Sequence, residues 1–282
     1  MTVWMETRAT FTAATNVLLQ YSQDIEKEVA KAETLTGYCR ACKRVAQMQV
    51  TLGEPIGSWR NLLEGMLCEC GLNARNRLAL TVLDEILMTR KFARSVVLER
   101  LTPFYAHLAA RLPGLIGSEY LGDTVPAGTS VRKGDITVRS ESIMALSFES
   151  GSIDIVLHFD VLEHVPDWRL GLLECLRVLK PGGVMLFTVP FYDGLDRNIV
   201  RAEWQGGTIR NLLPAAYHGN PLSPDGSLVF IHPSWEVYEF MTSIGLRSVK
   251  IALSYDPIQG IFSNGCPFPD GHMWPLVFVL TK

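Results

Sequence analysis

The chain has 282 residues, enough for one large domain or a domain with a small module. Apolar residues make up 48% and charged residues 20%, a globular balance. A net charge of −3 gives no basic footprint for nucleic acid, no apolar run is long enough to span a membrane, and no signal-peptide pattern opens the chain; a cytoplasmic protein without nucleic-acid or membrane partners is expected.

Residues 1–36 are expected to be helical. Phe11, Ala14, Leu18, Tyr21, Ile25 and Val29 recur at spacings of three and four, and Gln23, Asp24, Glu26, Lys27 and Lys31 occupy the other face. Such a helix packs on the main domain, on a second copy in a homodimer, or over a substrate as a lid.

Residues 37–77 differ in character. Cys39 and Cys42 are spaced C-x2-C, and Cys68 and Cys70 are spaced C-x-C. Two short-spaced pairs can supply the four thiolates of a tetrahedral structural zinc site. The segment has few large apolar residues, so a metal would replace a missing core. The strand-like AQMQV after the first pair suggests a zinc ribbon, although a ribbon usually repeats C-x2-C in its second pair. Reduced, metal-free cysteines are the plainer alternative. A helix over Ala74 to Arg90 follows, with Leu78, Val82, Ile86 and Leu87 inward. Arg75, Arg77 and Arg90 are expected on a solvated face or paired with the acidic ribbon turn.

The remainder, 78–282, alternates strand and helix. Ser95 to Glu99 reads as a strand, Phe104 to Leu112 as a helix, and Leu115 to Leu121 as a second strand. Gly122 to Gly134 is a polar, Gly- and Pro-punctuated connection. Ile153 to Phe159 is a near-continuous apolar run, the pattern of a strand buried on both faces. Pro166 and Asp167 suit a helix start, with Leu170, Leu173, Leu176 and Leu179 at helical spacing. Lys180-Pro181-Gly182-Gly183 then turns the chain into a buried strand, Val184 to Val189. Strand, helix and strand in this order make a parallel βαβ unit. Residues 190–233 form a long Gly- and Pro-rich insertion carrying Tyr192, Trp204, Tyr217 and His218, and long insertions in compact domains are usually functional. Trp235 to Ser243 reads as a helix, and Arg247 to Ser254 and Pro275 to Lys282 as antiparallel closing strands.

DIVLHFDVLEHVPD followed by LRVLKPGGVMLFTVP resembles the fourth and fifth strands of class I S-adenosylmethionine-dependent methyltransferases. The resemblance runs from about Ser95 to the C-terminus. It implies a Rossmann-like, doubly wound α/β sheet of seven strands, mostly parallel with an antiparallel C-terminal strand. It also implies S-adenosylmethionine as cofactor and a small-molecule substrate. Cysteine-bearing segments ending like CGLNARNR precede some bacterial members, which supports the ribbon as a module.

The resemblance places cofactor contacts at the strand ends. Glu99 supplies the acid of the first turn, but Arg100-Leu101-Thr102-Pro103 replaces the usual glycines, whose absence of a side chain lets backbone approach a cofactor. Thr102 and Pro103 suit a helix start that would aim amides at a carboxylate. Glu119 falls where an acid takes the ribose hydroxyls, with Tyr120 and Leu121 beside it. Ser142, Ile143 and Met144 fall at the adenine segment, with Ser142 in place of the usual Asp. Phe159 and Asp160 fall near the methionine end.

Methyl transfer needs two reactants held in line, water excluded and, for an oxygen or nitrogen nucleophile, a proton removed. His164 and His218 are the candidate bases, because imidazole titrates near neutral pH. A structural hydrogen bond is the plainer role for each. Tyr192, Trp204, Tyr217 and His218 are the expected substrate contacts from the insertion. Two other functions stay open: a methyltransferase fold repurposed for cyclisation, isomerisation or ligand binding, and an interaction protein that docks through its N-terminal segments.

Overall fold

In a computed structural model, which describes residues 2–53, 60–269 and 271–282, the Ser152 to Val189 stretch forms the expected strand–helix–strand unit. The strands Ile153–Phe159 and Leu179–Thr188 pair in parallel, with a register shift between Leu179 and Val184 where Gly182 takes a left-handed φ of 76°. The helix between them is Trp168–Val178. Asp167 is its N-cap, its side chain accepting from the Leu170 amide, so Pro166 precedes the cap and is not in the first turn. The helix buries Leu172, Cys175, Leu176 and Val178. Leu170 and Leu173 face outward, because a buried stripe at 3.6-residue period cannot hold every third leucine.

The chain divides into two units: residues 1–91, 192–194 and 248–279 form one, and residues 92–191, 195–247 and 280–282 the other. In the second unit six strands lie in the order Leu179–Thr188, Ile153–Phe159, Ser95–Val97, Ile116–Glu119, Ile136–Ser140 and Ser130–Lys133. The first five run parallel, and the sixth is antiparallel. Residues 122–134 are therefore not only a connection, since Ser130–Lys133 forms a hairpin with the next strand. Lys282 exchanges backbone hydrogen bonds with Gly182 and Gly183, and its Nζ donates to the Leu176 and Leu179 carbonyls at 2.7 Å. This is the expected Rossmann-like, doubly wound α/β architecture, mostly parallel with an antiparallel C-terminal strand.

The insertion forms three small antiparallel ladders: Ile199–Val200 with Ile231–His232, Ala202–Gln205 with Thr208–Asn211, and Tyr217–Asn220 with Ser223–Leu228. Trp235–Ser243 is helical as expected, and Gly245 follows it at a φ of 75°.

The first unit does not open with one long helix. A strand, Val3–Met5, pairs antiparallel with Ser248–Leu253, and two helices follow, Arg8–Leu19 and Ser22–Val29. The break at Gln20 and Tyr21 turns the apolar stripe: Tyr21 is exposed, while Glu26, expected on the polar face, is buried. Its two oxygens accept from the Ser263 amide and hydroxyl at 2.9 and 2.8 Å. Thr34–Cys39, Arg44–Val50 and Met66–Cys68 make an antiparallel three-stranded sheet. Part of the expected ribbon, residues 54–59, lies outside the described residues.

The helix Ala74–Leu87 starts at Asn73, whose side chain accepts from the Asn76 amide. Arg77 is buried, not solvated. Its guanidinium donates to the carbonyls of Met66, Leu72 and Gly260 at 2.7–2.8 Å. A cation suits this place because carbonyls converge there from two turns, and a fork of fixed donors can satisfy several at once.

Candidate functional site

The carboxyl ends of the parallel strands carry the expected cofactor residues. Glu99 follows Ser95–Val97, Glu119 ends Ile116–Glu119, Ser142 to Met144 follow Ile136–Ser140, and Phe159 and Asp160 end the central strand. Parallel strands put all these ends on one edge, where open α/β sheets bind ligands.

Asp160 has a φ of 50°, unusual for a residue with a side chain. Its amide donates to the Thr188 carbonyl at 3.0 Å, and its Oδ1 accepts from the Thr188 hydroxyl at 2.7 Å. The end of the neighbouring strand thus holds both backbone and carboxylate. Phe159 packs edge to face on Phe104, ring centroids 4.7 Å apart.

The glycine-free turn is held differently from the expectation. The helix is Pro103–Ala109, shorter than Phe104 to Leu112. Thr102 sits at its N-cap, but the hydroxyl donates to Glu99 and makes no cap bond to an amide. The Tyr105 amide donates to the Thr102 carbonyl at 3.2 Å, so it is not available to a ligand as expected. Glu119 Oε1 accepts from the Arg100 and Leu101 amides at 2.8 and 2.9 Å. Burial raises the Glu119 pKa, and those two amides oppose the rise. Tyr120 is exposed and donates its hydroxyl to Asp123; Leu121 is half-buried.

In the segment expected beside the adenine Ile143 is buried, Ser142 and Met144 are half-buried, and the Ala145 amide closes a turn on the Ser142 carbonyl at 3.0 Å. Glu141 is structural. Its carboxylate takes Arg139 at 2.7 Å and the amide and hydroxyl of Ser147.

Beyond Asp160 a short 3-10 turn, Leu162–His164, carries two members of a Glu–His–His cluster. Glu163 is fully buried. Its Oε1 lies 3.6 Å from His164 Nε2 and 3.9 Å from His218 Nδ1. The two imidazoles meet edge to face, centroids 5.1 Å apart. His164 Nδ1 bonds the Leu228 carbonyl at 2.9 Å. The two histidines expected as bases therefore stand together, although 53 residues of sequence separate them. Glu163, which joins them, is not among the site residues drawn from the sequence. Its adjacency to His164 in the quoted LEH tripeptide is the signal it gives. His158 lies buried in the strand, stacked on Phe187, and burial lowers its pKa to about 3. Trp204 is exposed opposite Ile209 in its hairpin, and Tyr217 is exposed beside His218. Tyr192 belongs to the first unit, where it packs against the cysteine-lined core.

In that first unit the four cysteines converge. Cys39 and Cys70 sulfurs are 3.9 Å apart, and Cys42 and Cys68 sulfurs 3.7 Å apart. Four sulfurs around a tetrahedral zinc with bonds near 2.3 Å stand roughly 3.8 Å from one another. The Cys42 amide donates to Cys39 Sγ at 3.4 Å, and Lys43 turns the chain with a φ of 57°. The Cys70 thiol and that amide lower the Cys39 pKa to about 4.

Residues 108–187 match the family described as "Methyltransferase domain". The match begins past the Glu99–Pro103 turn and includes Glu119, Asp160, Glu163 and His164. The chain is 30% identical over 161 residues to a ubiquinone biosynthesis O-methyltransferase of Coxiella burnetii (strain Dugway 5J108-111), covering 54% of this chain and 62% of that protein. It is 43% identical over 163 residues to an uncharacterized methyltransferase of Mycobacterium sp. (strain KMS), with the same two coverages. The chain thus spans less than two thirds of the length of these relatives. Among solved structures, the S-adenosylmethionine dependent methyltransferase of Mesorhizobium loti is similar at 15% identity, covering 74% of this chain and 98% of that one with a TM-score of 0.41.

Proposed function

From a chain whose α/β domain belongs to the class I S-adenosylmethionine-dependent methyltransferases, we propose an enzyme that methylates an oxygen nucleophile of a small molecule. One observation carries the reading: consecutive parallel strands end, on one edge, at the residues that the sequence resemblance assigns to the cofactor. S-adenosylmethionine supplies an electrophilic methyl group on a sulfonium. Glu119 takes the ribose hydroxyls, Ser142 to Met144 border the adenine, and Phe159 and Asp160 meet the methionine end, the carboxylate pairing with its ammonium. Glu99 and Thr102 shape the turn beside it. The Glu163–His164–His218 cluster handles the proton of the nucleophile. Trp204, Tyr217 and His218 contact the substrate. The O-methyltransferase relatives favour oxygen over nitrogen or carbon as the acceptor. The reading includes a cytoplasmic setting and no nucleic-acid or membrane partner. Among the described residues no helix is long and apolar enough to cross a membrane. Association into a homodimer is read by light scattering.

The four cysteines hold a structural zinc in this reading. Their sulfur separations fit a tetrahedral ion, and four thiolates leave it no open position for catalysis.

Calorimetry with S-adenosylmethionine and its demethylated product tests cofactor binding. A labelled methyl donor with candidate hydroxylated substrates tests transfer. The glycine-free turn, whose Arg100 and Leu101 amides are already committed to Glu119, favours a second reading: a methyltransferase fold repurposed for cyclisation, isomerisation or ligand binding. Cofactor binding without methyl transfer to any acceptor would select it.

A further inference from the structure

The turn that lacks glycine faces a strand that has one. Gly117 stands inside Ile116–Glu119, paired in parallel with Val97. Its φ is not left-handed, so space and not backbone freedom is what a glycine supplies here. A Cβ at this position would overlap Tyr105 Cε2 and stand 2.9 Å from Tyr105 Cδ2 and 2.8 Å from Arg100 Cδ. Carbons rest at roughly 3.5–4.0 Å, so the Tyr105 ring and the Arg100 stem occupy the place of a side chain. The Tyr105 hydroxyl donates to the Leu115 carbonyl at 3.0 Å, and the ring takes the Arg100 guanidinium on its face, 4.2 Å from the centroid.

Glu119 lies two residues beyond Gly117, on the same face of the strand. Its Oε1 accepts from the Arg100 amide at 2.8 Å and the Leu101 amide at 2.9 Å. Arg100 is therefore held at both ends, its amide by Glu119 and its guanidinium by Tyr105. The Arg100 charge also opposes the effect of burial on the Glu119 carboxyl.

We infer that Gly117, Tyr105 and Arg100 are positioning residues for the cofactor: bare strand seats the Tyr105–Arg100 stack, and the stack holds the glycine-free turn clear of the strand ends. A glycine-rich turn lets backbone approach a ligand because no side chain stands between them. In this chain the longest side chain of the turn runs back over Gly117, away from the edge at which Glu119 ends its strand. The glycine opposite the turn does the work of a glycine within it. With a side chain at position 117 the Tyr105 ring must leave, and Arg100 loses the surface that draws it off the edge. The consequence for the cofactor rests on the methyltransferase reading; the lock on the turn does not.

Two measurements test the lock: hydrogen exchange of the Arg100 and Leu101 amides, and calorimetric titration with S-adenosylhomocysteine, the demethylated product of the cofactor. Both are made on wild type, Gly117→Ala, Tyr105→Leu and Tyr105→Phe, each shown by its melting curve to be folded. In Gly117→Ala and Tyr105→Leu the two amides should exchange about fivefold faster, and affinity should fall about fivefold, the most that one exposed cation–π stack supplies. Tyr105→Phe keeps the ring and loses only the bond to Leu115, so it should recover most of the affinity even where its melting temperature drops. Affinity that follows melting temperature across the three variants, instead of following the ring, overturns the inference and makes Tyr105 structural. Unchanged exchange, or unchanged affinity, in folded Tyr105→Leu overturns it as well. Wild type that binds no S-adenosylhomocysteine, with exchange still faster in Tyr105→Leu, would count against the proposed activity and leave the lock standing.

Discussion

The Thr188 hydroxyl donates to Asp160 Oδ1 at 2.7 Å, joining the ends of the two strands that flank the central crossover helix. Asp160 sits at a φ of 50°, where a side chain costs on the order of 1 kcal/mol and glycine costs little. A strained residue at a ligand-binding edge points to function. Asp160→Gly should therefore keep or slightly raise the melting temperature while lowering cofactor affinity at least about tenfold, near the 1.5 kcal/mol of a weak charged hydrogen bond. Thr188→Val should weaken cofactor binding less, since it removes only the bond that aims the carboxylate. A parallel fall in stability and affinity for Asp160→Gly would make the residue structural.

Glu119 serves the turn and, in the proposed function, the ribose. Glu119→Ala removes the acceptor of two amides and should cost about 1–3 kcal/mol of stability by denaturant titration. It should also weaken cofactor binding by roughly 1.5–3 kcal/mol. Glu119→Gln retains a carbonyl oxygen for the amides, so it should recover most of the stability and only part of the affinity. Equal recovery of both would confine Glu119 to the turn.

The cysteine quartet makes a separate prediction. Cys39 is buried, and its sulfur lies 3.9 Å from that of Cys70. Cys39→Ser should lose one zinc equivalent and lower the melting temperature, because binding of a structural metal contributes folding free energy. Removing zinc from wild type with a strong chelator should reproduce the shift, and readdition should reverse it. An unchanged melting curve after stripping would remove the metal from the account of this module.

The parallel core was legible because a strand buried on both faces must be apolar along its length, and Ile153 to Phe159 is. The Gly182 turn and the Trp235 helix were legible for similarly local reasons. Arg77 was not: its carbonyl partners at Met66, Leu72 and Gly260 are set by turns that no periodicity announces. The Asp160–Thr188 bond and the meeting of His164 with His218 were hidden for the same reason. Sequence marked both histidines as candidates, but the hairpin that unites them lies in an insertion without a regular pattern. The N-terminal stripe misled because one period was read across the break at Gln20 and Tyr21, and that break decides which way Glu26 faces.

Arg77 gives a stability test. Arg77→Met would leave the buried Met66 and Gly260 carbonyls without this donor, while the Leu72 carbonyl keeps the Cys68 amide, a loss of at least about 2 kcal/mol at 1–3 kcal/mol for each unsatisfied group. Arg77→Lys keeps the charge but not the planar fork, so it should fall between wild type and Arg77→Met. Chemical denaturation with unchanged m-values would read the differences directly.

Glu26 predicts a pH dependence. Burial raises its pKa from 4.5 to about 7, against the lowering effect of its bonds to Ser263. A carboxyl with a higher pKa in the folded state binds its proton more tightly there than in the unfolded chain. Between pH 4.5 and about 7 the folded state thus holds more protons, and this group's contribution to stability falls as pH rises. Below that window the group imposes no cost; above it the cost is complete, on the order of 3 kcal/mol. Glu26→Gln removes the titration while keeping an acceptor for Ser263 and a donor that its hydroxyl can receive. The variant should match or trail wild type near pH 4.5 and exceed it near pH 8. Other groups titrate in both proteins, so the difference between their stabilities at each pH isolates Glu26. A difference that stays flat from pH 4.5 to 8 would mean that the buried carboxylate remains charged, held by the Ser263 amide and hydroxyl.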